Sequence, residues 1–222
     1  MRIFLYTLIG IPLLIADAVL VYALPVCLSH RYTLFQGWFL LAGSLTYLAF
    51  HFLVRRPERL YLWGHELTHL VVAKLFFRHV HGFHITSRSG GKVVIDRTNV
   101  AIDLAPYAVP IYCLVALALV VFFGGQHRYA KEVYLAVGAF FFTMHLYFSV
   151  EGFLHGQPDL RRSGRLFSAA VVLLFLLLWL PFLGAPGTSA GFPGLPSFYK
   201  EWLEAGWTAT RHLLSLCGAR VY

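Results

Sequence analysis

The stretch Leu166 to Ala190, LFSAAVVLLFLLLWLPFLGAPGTSA, contains no Asp, Glu, Lys, Arg or His. A run of about 20 apolar residues is what an α-helix needs to cross the hydrocarbon of a bilayer. Two further uncharged runs, Tyr32 to Phe50 and Leu104 to Gln126, have comparable length. The composition agrees, because 59% of the 222 residues are hydrophobic and only 13% are charged, against about 25% charged in soluble domains. Disorder, a soluble enzyme and a small disulfide-stapled fold are therefore excluded together. The fold class expected is an all-α polytopic membrane protein of about six transmembrane helices, with a short β-hairpin insertion and a C-terminal amphipathic helix.

Charge and cysteine usage narrow the partners. The formal net charge of +8 comes from short Lys and Arg clusters at the ends of apolar runs, which suits anionic headgroups of a lipid bilayer and not nucleic acid. With six alternating spans, Arg2, Arg55, Arg56, Arg59, Arg128, Lys131, Lys200, Arg211 and Arg220 share one side and the other nine basic residues the opposite one. Orientation is thus left open. Cys27, Cys113 and Cys217 lie far apart without CxxC spacing, so they read as small apolar fillers.

Along the chain, residues 1–59 hold two spans. The first, Ile3 to Cys27, carries Asp17 in its middle and lacks a clear signal-cleavage site, so it is read as a retained helix. The second, Tyr32 to Val54, is closed by Arg55-Arg56-Pro57-Glu58-Arg59. Residues 60–165 form a core containing a short helix from Leu60 to Phe77, a hairpin, and spans near Val100 to Phe123 and Val133 to Leu154. In the hairpin, Phe83-His84-Ile85-Thr86 and Lys92-Val93-Val94-Ile95 flank Ser89-Gly90-Gly91. Such backbone cannot face lipid, so it belongs at the water interface or inside the bundle. Residues 166–184 are the sixth span. In 185–222, a Gly- and Pro-rich linker leads to a helix whose Phe198, Trp202, Leu203, Trp207, Leu213 and Leu214 recur at helical spacing, the pattern of an interfacial helix or of a plain tail helix.

Chemistry concentrates in the third helix, where Trp63-Gly64-His65-Glu66-Leu67-Thr68-His69-Leu70 matches HExxH. Histidines four apart share one helix face and can converge on one ion, with Glu66 beside it. Zinc accepts neutral imidazoles and keeps a position for water, whose pKa it lowers toward about 7. The composition gives an accidental match roughly 0.015 of the time. Titratable residues in an apolar helix also cost about 2.5 to 3.5 kcal/mol each on insertion scales, so they call for a compensating role. A third protein ligand is needed, and Asp103, His145, Glu151, His155 and Asp159 are the candidates. Glu151 and His155 share a face but sit where interfacial anchors are common. Asp159 follows Gly156-Gln157-Pro158, a helix break from which a carboxylate can turn inward, or pair with Arg161 or Arg162. His79, His81 and His84 read as solvated histidines.

The order HExxH helix, β segment, further span, then an Asp beside a Pro 94 positions after His65 resembles the site-2 protease family of intramembrane zinc metalloproteases, over Leu60 to Arg165. The resemblance implies that His65, His69 and Asp159 bind Zn2+, that Glu66 is the catalytic base, and that the substrate is a membrane-embedded protein. It further implies a multi-pass protein of a bacterial-type plasma (inner) membrane. The family usually has a small residue where Thr68 stands and an Asn-x-x-Pro…Asp-Gly context where this chain has Gln157-Pro158-Asp159-Leu160. Asp103-Leu104-Ala105-Pro106 occupies the place of a Gly-Pro turn in the family, which makes Asp103 structural or supporting. The β segment acquires a candidate role in holding an unwound substrate by main-chain pairing, with a hairpin cap as the plainer reading. A zinc hydrolase acting on a lipid or small amide, and an inactive protease-like scaffold, are the alternative functions.

Overall fold

The computed structural model describes residues 2–86, 90–124 and 127–216. Ser89 of the expected hairpin, Gln126, Cys217 and Arg220 therefore lie outside the described residues. Nine helices and one hairpin are formed within them: α1 (Arg2–Ser29), α2 (Leu34–Ala49), α3 (Glu58–Leu75), β1 (Val80–Thr86), β2 (Gly90–Ile95), α4 (Val100–Ala108), α5 (Ile111–Phe123), α6 (Ala130–His155), α7 (Pro158–Arg162), α8 (Arg165–Gly184) and α9 (Leu195–Leu216).

Local chemistry sets the boundaries. Thr33 and Gln36 close a capping box at the start of α2, satisfying donors that the first turn leaves free. The end of α2 widens into a π turn, Phe50–Val54, where buried His51 meets the Tyr47 hydroxyl at 2.9 Å. Asn99 caps α4 by accepting from the Ile102 amide at 2.9 Å. At the end of α6, Gly156 turns left-handed at φ 65°, a conformation that costs a residue with a Cβ. Pro158 then opens α7 at the position where its missing N–H is harmless.

Among the described residues four helices are long and apolar enough to cross a membrane: Ile3–Ser29, Leu34–Val54, Ala130–His155 and Arg165–Gly187. The span expected over Val100 to Phe123 is instead broken. Helices α4 and α5 meet at a 64° bend, because Pro110 has no amide to donate and holds Val109 in an extended conformation. Counted as one, the bent pair makes five. Helix α3 is not among them, since Glu58, Arg59, His65, Glu66, His69 and Lys74 interrupt its 18 residues. By length and composition the number is four or five, where six were expected.

Helix α2 packs against α6, with Gly43 meeting the Ala136 carbonyl directly and Tyr47, Met144 and Phe148 forming a buried cluster. Helix α1 packs on α8 and α9. The contacts of α9 run along α1, from the Arg31–Glu201 ion pair at 2.6 Å to Trp202 Nε1 on the Leu20 carbonyl at 2.8 Å and Gly206 beside Val19. The linker before α9 contains two short 3-10 turns, Ala185–Gly187 and Phe192–Gly194. Between these groups α4 is almost wholly buried, its Leu104 and Tyr107 packing with Leu160 and Val172. Large apolar side chains on α1, α2 and α5 face outward, among them Phe4, Trp38 and Phe122.

The α2–α6 contact yields a direct test. Gly43→Val forces a branched side chain into the Ala136 backbone and is expected to destabilise the protein by about 1 to 3 kcal/mol or more. A thermal midpoint in detergent equal to that of the unaltered chain contradicts this packing.

Candidate metal centre

Helix α3 places His65 and His69 one turn apart, with ring centroids separated by 5.0 Å. From the other side α7 brings Asp159, whose Oδ2 stands 3.4 Å from His69 Nε2 and 4.0 Å from His65 Nε2. The three donor atoms lie within 4.8 Å of one another, and this is the sole such group of His, Cys, Asp or Glu among the described residues. Tetrahedral zinc with bonds of about 2.0 to 2.2 Å separates its donors by roughly 3.4 Å, so the cluster is metal-sized and needs only slight closure. Two neutral imidazoles and a carboxylate are also the donor types that a catalytic zinc takes.

The surrounding contacts prepare these groups. His69 Nδ1 lies 2.8 Å from the Ile102 carbonyl. A carbonyl only accepts, so Nδ1 carries the proton and the Nε2 lone pair is free to face Asp159. Asp159 is steadied by Arg162, three residues on, whose Nη1 is 3.5 Å from Oδ1 and 2.9 Å from Oδ1 of Asp103. Asp103 is buried and also accepts from Thr98 Oγ1 at 2.5 Å. Asp159 therefore points one oxygen at the imidazoles and the other at a guanidinium. The two outcomes read from the sequence, inward turn and ion pair, coexist.

Glu66 is buried and lies against β2, where a Cβ on Gly91 would overlap its Cγ and sit 2.6 Å from Oε1. A strand without a side chain at that point lets the carboxylate occupy the space. The β1–β2 ladder is antiparallel and pairs Phe83 with Val93 and Ile85 with Gly91. Residues Gly91 to Asp96 line one wall of a cavity of about 960 Å³ that also holds His65, Glu66, His69 and Asp159.

The other candidates stand apart from the cluster. Glu151 takes Arg56 Nη2 on both oxygens, at 2.6 and 2.8 Å, and the His155 ring nitrogen Nδ1 donates to the Glu151 carbonyl at 2.8 Å. His145 is buried with Nε2 donating to the Tyr107 carbonyl at 2.8 Å. Thr68 is buried too, and its hydroxyl is satisfied by the Gly64 carbonyl. His79 and His81 have ring centroids 5.0 Å apart on or beside β1, with no third donor gathered there among the described residues. Sequence reasoning does not find Arg162 as the link between Asp103 and Asp159, nor Gly91 as the residue that makes room for Glu66. The spacing of Asp159 and Arg162 on one helical turn is the available signal for the first; the second depends on hairpin register.

No family model, no curated protein and no solved structure matches this chain.

The Asp103–Arg162–Asp159 chain makes a quantitative expectation. Arg162→Met removes the cation that orients Asp159 and is expected to weaken zinc binding by about 10- to 100-fold, measured by competition with a chromogenic chelator. Unchanged affinity means that Asp159 is held in place without Arg162.

Proposed function

We propose that this protein is an intramembrane zinc metalloprotease, hydrolysing peptide bonds of membrane-embedded substrates. The observation that carries the reading is the convergence of His65, His69 and Asp159 from two separate helices, with Glu66 lining the same cavity. Inserted in a bilayer, the four apolar helices and the bent α4–α5 pair supply up to five spans, and α3 packs mainly against α4 and the hairpin. The polar face of α3 is then shielded from acyl chains by α4 and the hairpin, both of which pack against it. The outward apolar side chains of α1, α2 and α5 find their solvent in lipid.

His65, His69 and Asp159 are the residues that would hold zinc. When bound there, zinc polarises a carbonyl and makes water a nucleophile near neutral pH. Glu66 accepts the proton of the attacking water and passes it to the amide nitrogen, which leaves with the electron pair of the broken C–N bond. The products are a carboxylate and an amine. Among the described residues strand β2 pairs only with β1 and lines the cavity, so an unwound substrate can add by main-chain hydrogen bonds along the part of its other edge that the Val93–Glu66 hydrogen bond leaves free. That edge favours a peptide over a lipid or a small amide. The cavity is lined by charged groups as well as apolar ones, Arg56, Lys92 and Arg97 among them, which lets water accompany the substrate.

Two variants test the reading. Glu66→Gln is expected to retain stoichiometric zinc while turnover falls by about 10²- to 10⁴-fold; full activity in that variant removes Glu66 from the chemistry. Gly91→Ala pushes on the Glu66 carboxylate and is expected to lower kcat on the order of 10²-fold at unchanged metal content, read by parallel metal analysis and cleavage assays. A purified wild-type chain without bound zinc ends the proposal.

A further inference from the structure

We infer that Tyr107 is a catalytic residue, donating a hydrogen bond from its hydroxyl to the scissile carbonyl oxygen as negative charge develops there. This inference rests on the hydrolytic reading above. Tyr107 stands in the last turn of α4 and is 1% exposed, yet its hydroxyl has no hydrogen-bond partner among the described residues. A buried hydroxyl left unpaired destabilises a folded chain, and a phenylalanine ring would occupy the same space without that penalty. Such a group in a cavity wall points to a ligand that completes it.

The placement suits a reacting carbonyl. The Tyr107 ring meets His65 edge-on, with centroids 5.1 Å apart and an interplanar angle of 83°, and it lines the same cavity as His65, Glu66 and Asp159. Its position is tightly fixed. The backbone carbonyl is taken by His145 Nε2, and the ring edge abuts Gly152 of α6, where a Cβ would come within 2.9 Å of Cε1. Glu66 lies against Gly91 of β2 and the Tyr107 ring against Gly152 of α6, and both residues line one cavity. Tyr61 differs: its hydroxyl has Ser149 beside it, and its ring stacks on Phe148, with the His65 and His145 ring centroids at 5.7 and 6.5 Å.

The chemistry balances without a change in Tyr107. The water oxygen bonds to the carbonyl carbon, the π pair moves onto the carbonyl oxygen, and the water proton goes to Glu66. When the pair returns, the C–N bond breaks and the nitrogen departs with the proton from Glu66. Tyr107 keeps its own proton throughout, and its hydrogen bond strengthens as the acceptor becomes anionic.

The test uses the full-length, zinc-loaded chain and a probe that needs no turnover. That probe is a phosphonamidate analogue of acetyl-Phe-Leu-amide, whose tetrahedral phosphorus carries two oxygens where the scissile carbonyl stood. Tyr107→Phe is expected to keep its zinc, to melt at the same or a higher temperature, and to bind this probe about 10- to 100-fold more weakly than the wild type. On any peptide that the wild type cleaves, kcat falls while KM is nearly unchanged. Equal probe affinity in wild type and Tyr107→Phe overturns the role of Tyr107 alone. Loss of zinc or a lower melting temperature in the variant makes Tyr107 structural and overturns it as well. A wild-type protein that holds zinc yet fails to bind the phosphonamidate overturns the hydrolytic reading on which the inference stands.

Discussion

The approach of a carboxylate on α7 to two imidazoles on α3 is the contact around which the rest of this protein is arranged. Asp159 and His69 are 90 residues apart in sequence and 3.4 Å apart in space, so their meeting depends on where α6 stops. Gly156 supplies the left-handed turn and Pro158 starts a new helix at once. A side chain at Gly156 would also run into the Arg161 guanidinium. Continuation of α6 for another turn would carry Asp159 onward with the helix axis, away from α3.

Helix α4 is the element that holds both halves of this contact. Its Ile102 carbonyl orients His69, its Asp103 carboxylate anchors Arg162 and through it Asp159, and its Tyr107 ring braces His65. These functions fall on a helix of nine residues, which explains why the chain breaks at Val109–Pro110. A straight span from Val100 to Phe123 would keep one axis throughout, and could not follow α3 with its first turns while packing Cys113 and Leu117 against Tyr134 and Leu135 with its last. Burial of Asp103 is tolerable because it accepts from both Thr98 and Arg162, leaving little of its charge unmatched.

Much of this arrangement is legible in the order of the amino acids, wherever the deciding chemistry is local. An uncharged run such as Leu166 to Ala190 has few foldings open to it. HExxH announces its own geometry, because positions four apart must share a helix face. The break at Gly156-Gln157-Pro158 is equally local. The bend at Val109–Pro110 is not, although Pro106 and Pro110 are both plain in the sequence, since a proline can kink a span or end it and only packing decides. The link from Arg162 to Asp103, and the roles of Gly91 and Tyr107, escape a linear reading for a different reason. Their neighbours come from other elements: Asp103 lies 59 residues from Arg162, and Gly91 reaches Glu66 only because the hairpin folds back along α3.

That fold-back also resolves a tension in the composition of α3. An 18-residue helix with Glu66, His65 and His69 on its inward side is costly to leave among acyl chains, yet it is too apolar on its remaining faces, with Trp63, Leu67 and Val71 exposed, to sit in water. The hairpin and α4 cover the polar face with backbone and with a cavity, not with a sealed apolar core. A β ribbon suits that position because extended backbone can meet the Glu66 carboxylate directly, as the Val93 backbone does, and a glycine at its crossing with Glu66 keeps the carboxylate in reach of the space. The same feature that makes α3 tolerable in the fold, a polar groove walled by extended backbone, is the one a hydrolytic site on an unwound peptide requires.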